Sequence, residues 1–173
     1  MTGGEYADRR GQCEAAARAL GVDTLRDLSM RQLVEARDQL DPLAYKRASH
    51  VVSEIARTTQ AADEMQNKVW ASVGRLMFKS HESLRDDFEV STPELDLLVE
   101  LARERCTKAG GVYGARMTGA GFGGCTVTLV RADQTDAVTE HLLNRYTEKF
   151  GVVPSIFATR AAQGAHVINL PQP

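Results

Sequence analysis

Seven of the chain's fourteen glycines lie between positions 110 and 124, and the spacing of apolar residues changes at that cluster. Before it, apolar residues recur by threes and fours, the period of a helix with one buried face. Cys13, Ala16, Ala17 and Leu20 share such a face, and Gly21 follows as a stop. A short helix is predicted from Ser29 to just before Asp41-Pro42. A longer pattern runs from Pro42 through Ala44, Ala48, Val51, Ile55 and Ala62. It continues through Val69, Trp70, Val73, Leu76 and Met77, with a break near Gln66-Asn67, and ends in the charged stretch Glu82 to Asp87. The clearest start signal is Ser91-Thr92-Pro93-Glu94: a hydroxyl to cap free N–H groups, a proline at the first helical position, and a carboxylate at the positive helix end. That helix is predicted to bury Leu95, Leu98, Val99, Ala102 and Cys106 and to stop at Gly110-Gly111.

Beyond Gly111 the period shortens to two. Val112 to Met117 reads as a strand, and Cys125 to Val130, rich in β-branched residues, as another. Asp133 to Tyr146 reads as an amphipathic helix with Asp133 as a cap. Ser155 to Thr159 and His166 to Leu170 read as two more strands. The expected fold is α+β, one domain over 1–173, with helices on one face of a small, largely antiparallel sheet. Residues 1–110 are mainly helical in this reading, and 111–173 hold the glycine loop, the strands and one helix.

Composition excludes several function classes. With 21 Lys+Arg against 23 Asp+Glu the net charge is -2, so the basic face needed to displace counterions from a nucleic acid is missing. No apolar run approaches the roughly 20 residues that span a membrane, and Met1 to Tyr6 has neither the basic nor the apolar part of a secretion signal. Cys13, Cys106 and Cys125 are an odd number without a C-x-x-C pair, which points to reduced thiols and a cytoplasmic protein. The four histidines, His50, His81, His141 and His166, stand at no metal-ligand spacing, so no metal site is expected from this chain alone.

The glycine cluster carries the chemical signal. Gly119, Gly121 and Gly124 satisfy G-x-G-x-x-G, but a dinucleotide site needs a helix next, and here a strand follows. There is no phosphate-loop Lys followed by Ser or Thr. What remains is a strand–loop–strand turn with few side chains, able to expose backbone N–H groups or to admit another backbone or a phosphate. A wide hairpin whose glycines serve turn geometry alone explains the composition equally well. Asp86, Asp87 and Glu89 read as a charged helix end, since no His or Lys accompanies them as a proton-transfer partner. His81 and Ser83, two apart on a helix, do not face each other.

Particular segments carry a resemblance. Arg116-Met117-Thr118-Gly119-Ala120-Gly121-Phe122-Gly123-Gly124-Cys125-Thr126-Val127 resembles the third signature motif of the galactokinases, in the GHMP kinase superfamily. Ser80 to Ser91, followed by Pro93-Glu94-Leu95-Asp96, is similar to the segment preceding that motif. Glu5-Tyr6 with Arg9-Arg10 and Cys13 to Ala16 resembles the start of the family's C-terminal half, and Arg47-Ala48 with His50 to Glu54 also fits.

The resemblance covers the C-terminal half of a family about twice this length. It implies ATP-dependent phosphorylation of α-D-galactose to galactose 1-phosphate. ATP and Mg²⁺ would be bound by the intact enzyme and neither by this chain alone, because the family's catalytic Asp, transition-state Arg, nucleotide pocket and Mg²⁺ ligand belong to the other half. The implied partner is therefore a galactokinase N-terminal domain, in cis or in trans. By resemblance Tyr6 is a galactose contact. Gly119, Gly121, Gly123 and Gly124, with Thr118, form the loop that packs beside the phosphate-binding loop. No catalytic residue is expected in this chain, and the isolated chain is expected to be inactive. The alternative is a non-catalytic sugar-sensing or interaction module of the same family.

Overall fold

Caps that are visible in the sequence set three helix starts in the computed structural model, which describes residues 4–162 and 164. Asp41 accepts from the amides of Leu43 and Ala44, both at 2.9 Å, and opens α3 (Pro42–Gln66) with Pro42 at its first position. Ser29 and Gln32 form a reciprocal capping box at the start of α2 (Met30–Glu35), and Thr92 with Pro93 opens α5 (Pro93–Glu104). The remaining helices are α1 (Gly4–Ala19), α4 (Trp70–Asp86) and α6 (Thr135–Phe150). The break near Gln66-Asn67 is present, with Lys68 in a left-handed conformation at φ 58°.

Among the described residues the sheet is one antiparallel pair, β1 (Val112–Thr118) and β2 (Cys125–Val130), in register from Gly114↔Leu129 to Thr118↔Cys125. Tyr113 is an extra residue between the Val112↔Val130 and Gly114↔Leu129 pairs, a bulge on β1. At that bulge α4 crosses β1 backbone against backbone. A Cβ on Gly74 would overlap the Tyr113 carbonyl and stand 2.9 Å from the Gly114 nitrogen, and one on Gly114 would overlap the Gly74 backbone. The chain is thus mainly helical, with a small antiparallel sheet whose inner strand is β1. None of the six residues of β2 is buried.

Three apolar clusters hold these parts together. Ala16, Ala17, Leu25, Leu33, Leu40, Ala48 and Val52 join α1, α2 and α3. A second cluster, including Phe78, Val99, Ala102, Ala115 and Val138, joins α4, α5, β1 and α6. The third, Leu84, Val90, Leu95 and Met117 with Phe88 and Phe122 beside it, lies directly under the glycine loop.

Several sequence expectations change. Cys106 is exposed rather than buried, because α5 ends at Glu104 and the chain turns there; Leu101 fills the core position instead. Asp133 does not cap α6, because Arg131 holds its carboxylate at 2.9 and 2.6 Å and a 3-10 turn over Ala132–Gln134 precedes the helix. The stretch Ser155 to Thr159 forms no strand. Ile156 packs against the core while Phe157 is 83% exposed, so the alternation is real but finds no strand to pair with among the described residues. The expected strand His166 to Leu170 lies outside the described residues.

Candidate functional site

The glycine loop occupies residues 119–124 between the paired strand ends Thr118 and Cys125. Gly119 and Gly121 adopt φ of 95° and 90°, a region that side chains rarely enter. The two differ in what surrounds them. A Cβ on Gly119 would meet nothing within 4 Å, whereas one on Gly121 would stand 2.5 Å from both the Val90 Cβ and its carbonyl oxygen. The Phe122 amide donates to that same carbonyl at 2.7 Å. The loop is therefore pinned at its centre and open on its outer side, where Thr118, Gly119, Ala120 and Gly124 are exposed. Substituting alanine should separate the two roles. Gly119→Ala is expected to cost about 1–2 kcal/mol of backbone strain. Gly121→Ala should cost roughly 1–3 kcal/mol more by overpacking, because neither the Val90 backbone nor its branched carbon can swing away. Urea denaturation of the two variants measures the difference.

The anchor at Val90 belongs to a turn gripped from two helices. Arg9 of α1 donates from Nε to the Phe88 carbonyl at 2.6 Å and from Nη2 to the Glu89 carbonyl at 3.0 Å. Its guanidinium carbon also lies 5.7 Å from the centre of the Phe122 ring. Arg47 of α3, only 2% exposed, donates to the Asp87 carbonyl, to Gln12 Oε1 at 2.9 Å and to Glu89 Oε2 at 2.6 Å. Lys46 donates to the other Glu89 oxygen at 2.6 Å. Hydrogen bonds from Lys46 and then Arg47 pull the Glu89 carboxyl down to about 2. Tyr6, 56% exposed, lies three residues before Arg9 on α1 and so on the same side of the helix. The fold thus brings the Tyr6 helix and the glycine loop together through Arg9. Asp86 is held by Arg85, and Asp87 and Glu89 are held within the turn, which gives all three structural partners.

Beneath this turn runs a buried polar chain. Ser83 Oγ donates to Asp87 Oδ2 at 2.7 Å, so the hydroxyl must accept from His50 Nδ1–H, 3.0 Å away. The proton order is wrong for a serine nucleophile, since the hydroxyl hydrogen is donated to the carboxylate and not to the imidazole. His50 stacks on Phe88 with ring centres 4.4 Å apart. His81 accepts from the Met117 amide at 3.2 Å, and its Nε2 stands 3.1 Å from Asp96 Oδ1 in a geometry too bent for a hydrogen bond. Glu54 gathers Ser80, Arg57 and Arg116 at 2.6 to 2.9 Å. Burial pushes the Glu54 carboxyl up, and these donors outweigh it and hold the carboxyl low.

Burial lowers His50 from 6.5 to about 4. The unfolded chain therefore binds the extra proton first as the pH falls, and stability declines between about pH 6.5 and pH 4. The full loss from this group is about 3 kcal/mol, reached below pH 4. Thermal melts across that window should show the decline in the native chain and a flatter profile in His50→Gln.

Two cavities lie elsewhere. One of about 310 Å³ opens beside His50, Glu54 and Phe88, and one of about 390 Å³ lies along α6 beside Arg105 and His141. Neither is lined by Tyr6 or by residues 118–124. Among the described residues no group of three or more His, Cys, Asp and Glu side chains is arranged to hold a metal ion. Among the same residues no helix is long and apolar enough to cross a membrane. Sequence reasoning missed Arg9 and Arg47 as the grip on the loop's anchor. Their partners are 79 and 42 residues away, and the one local signal was the run Asp87-Phe88-Glu89, polar enough to need such partners.

Residues 61–148, which hold the α4–β1 layer and the glycine loop, match a known family described as GHMP kinases C terminal. The chain belongs to the GHMP kinase family and carries its C-terminal domain. Galactokinases are among its curated relatives. It is 48% identical to the Bos taurus galactokinase over 165 residues and 46% identical to the Homo sapiens galactokinase over 170, covering 95% and 98% of this chain. Those matches span 40% and 41% of the relatives' own length. Among solved structures, the Lactococcus lactis galactokinase complexed with galactose superposes with a TM-score of 0.83 at 35% identity. That match covers 88% of this chain and 40% of the other.

Proposed function

We propose that this chain is the C-terminal part of a galactokinase and contributes the glycine loop and a sugar-side tyrosine to a site completed by an N-terminal domain. The reaction is transfer of the γ-phosphoryl group of ATP to the anomeric hydroxyl of α-D-galactose, giving galactose 1-phosphate and ADP. The observation that carries this reading is the loop itself: anchored on Val90 by Gly121 and Phe122, and open at Gly119, where, its chain neighbours aside, a Cβ would meet no described residue within 4 Å. Such a surface suits the close approach of a second backbone, here the phosphate-binding loop of the other domain.

Phosphoryl transfer depends on positioning and on neutralising charge on the equatorial oxygens. In this reading the present residues supply positioning. The Tyr6 phenol, exposed on α1, orients the sugar. Thr118 and the loop glycines support the phosphate-binding loop and help close the cleft against water. The base and the charge-neutralising groups belong to the N-terminal domain, and the reaction runs in the cytoplasm. The test is a turnover assay with ATP, Mg²⁺ and galactose on the purified chain, alone and mixed with a galactokinase N-terminal half. Galactose 1-phosphate in stoichiometric excess only from the mixture supports the proposal. Equal turnover by the chain alone overturns the division of labour.

A further inference from the structure

The turn Asp87–Val90 is held in a conformation it would not adopt unaided. Glu89 has φ 55° and Phe122, which binds the turn through Val90, has φ 58°, both in the left-handed region that non-glycine residues rarely occupy. Each such residue is strained, so neighbouring contacts must hold it. On the α3 side, Lys46 and Arg47 hold the Glu89 carboxylate and the Asp87 carbonyl. On the α1 side one side chain spans the turn: Arg9 binds the consecutive carbonyls of Phe88 and Glu89 and faces the Phe122 ring. Its planar fork suits two carbonyls at once, which a lysine's single ammonium group cannot match. The next carbonyl along the chain, that of Val90, is the acceptor for the Phe122 amide.

We propose that Arg9 is a positioning residue: it fixes the Phe88–Val90 turn and so links helix α1, which carries Tyr6, to the glycine loop. The kinetic part of this inference rests on the galactokinase reading above; the structural part does not. In this role Arg9 acts through the carbonyls of Phe88 and Glu89 and the Phe122 ring. A shift of α1 on its sugar side is passed to the loop through the Arg9 guanidinium, beside the Gln12–Arg47 link to the same turn, so sugar placement and loop placement change together.

The test has two arms. In the first, amide exchange and chemical shifts are followed by NMR in the full 173-residue chain. Arg9→Gln is expected to speed exchange at the Phe122 amide at least tenfold and to shift the amides of Gly119 to Gly124, leaving those of Val99 and Ala102 in α5 unchanged. Arg9→Lys should recover less than half of the lost protection. Unchanged exchange at Phe122 in Arg9→Gln, or full recovery by Arg9→Lys, overturns the proposal. The second arm measures turnover after assembly with a galactokinase N-terminal half. Arg9→Gln should lower kcat at least tenfold while changing KM for galactose less than threefold. A raised KM with unchanged kcat would place Arg9 on sugar binding alone and overturn the link to the loop. Absence of turnover in the unsubstituted assembly overturns the galactokinase reading instead, and the NMR arm still decides the role of Arg9.

Discussion

Gly114→Ala is expected to destabilise the domain by about 3 kcal/mol, lowering the thermal midpoint by about 10 °C. The reason is the crossing of α4 over β1. The added methyl would overlap the Gly74 backbone and stand 2.7 Å from its carbonyl carbon, and no flexible side chain is there to yield. The α4 helix packs on β1 along the length of the strand, through Phe78 beside Ala115 and Leu84 beside Met117, so separating them at one point loosens two clusters. The same substitution at Gly11, in the exposed middle of α1 with nothing within 4 Å, should stabilise by up to about 1 kcal/mol. Thermal and urea denaturation of the two variants should therefore give opposite signs. A loss below about 1 kcal/mol for Gly114→Ala would contradict the backbone-on-backbone account.

Arg47→Met is the second large effect, at about 3 kcal/mol, since hydrogen bonds to charged groups contribute about 1.5–3 kcal/mol each. The buried guanidinium joins α1 through Gln12, its own helix α3 and the turn through Asp87 and Glu89. Removing it leaves the Asp87 carbonyl without its donor and Glu89 held by Lys46 alone. Arg47→Lys should recover little, because one ammonium cannot serve Gln12, Asp87 and Glu89 together. The loss in urea denaturation should be accompanied by faster amide exchange at Phe122, since the turn that anchors it is no longer gripped from α3. Stability within 1 kcal/mol of the parent in Arg47→Met would show that the buried fork contributes far less than its geometry implies.

Local chemistry was legible in the sequence wherever the signal and its target were neighbours. Thr92-Pro93, Asp41-Pro42 and the β-branched run Cys125–Val130 fixed elements within a few residues of where they form. The glycine cluster marked the loop but not which glycine serves which end. Gly121 meets Val90, 31 positions earlier, and no spacing rule connects them. Gly74 carried an unread signal: a lone glycine inside a strong helical pattern marks a close approach, and Gly114 in a strand marks the matching surface. Ser155 to Thr159 failed for the opposite reason. Alternation records which side chains are buried, as at Ile156, but a strand also needs a hydrogen-bonding edge that alternation does not reveal. The arginines were the hardest to place, because Arg9 and Arg47 act on carbonyls and a carboxylate brought close only by the packed helices.

The central claim, that this chain is the glycine-loop part of a divided galactose site, is tested most directly by isothermal titration with galactose. The purified chain is titrated alone and after mixing with a galactokinase N-terminal half, with and without ATP. The account predicts saturable galactose binding only in the mixture, weakened there by Tyr6→Ala. Tight galactose binding by the chain alone would contradict it and would favour a sugar-sensing module over a half-site.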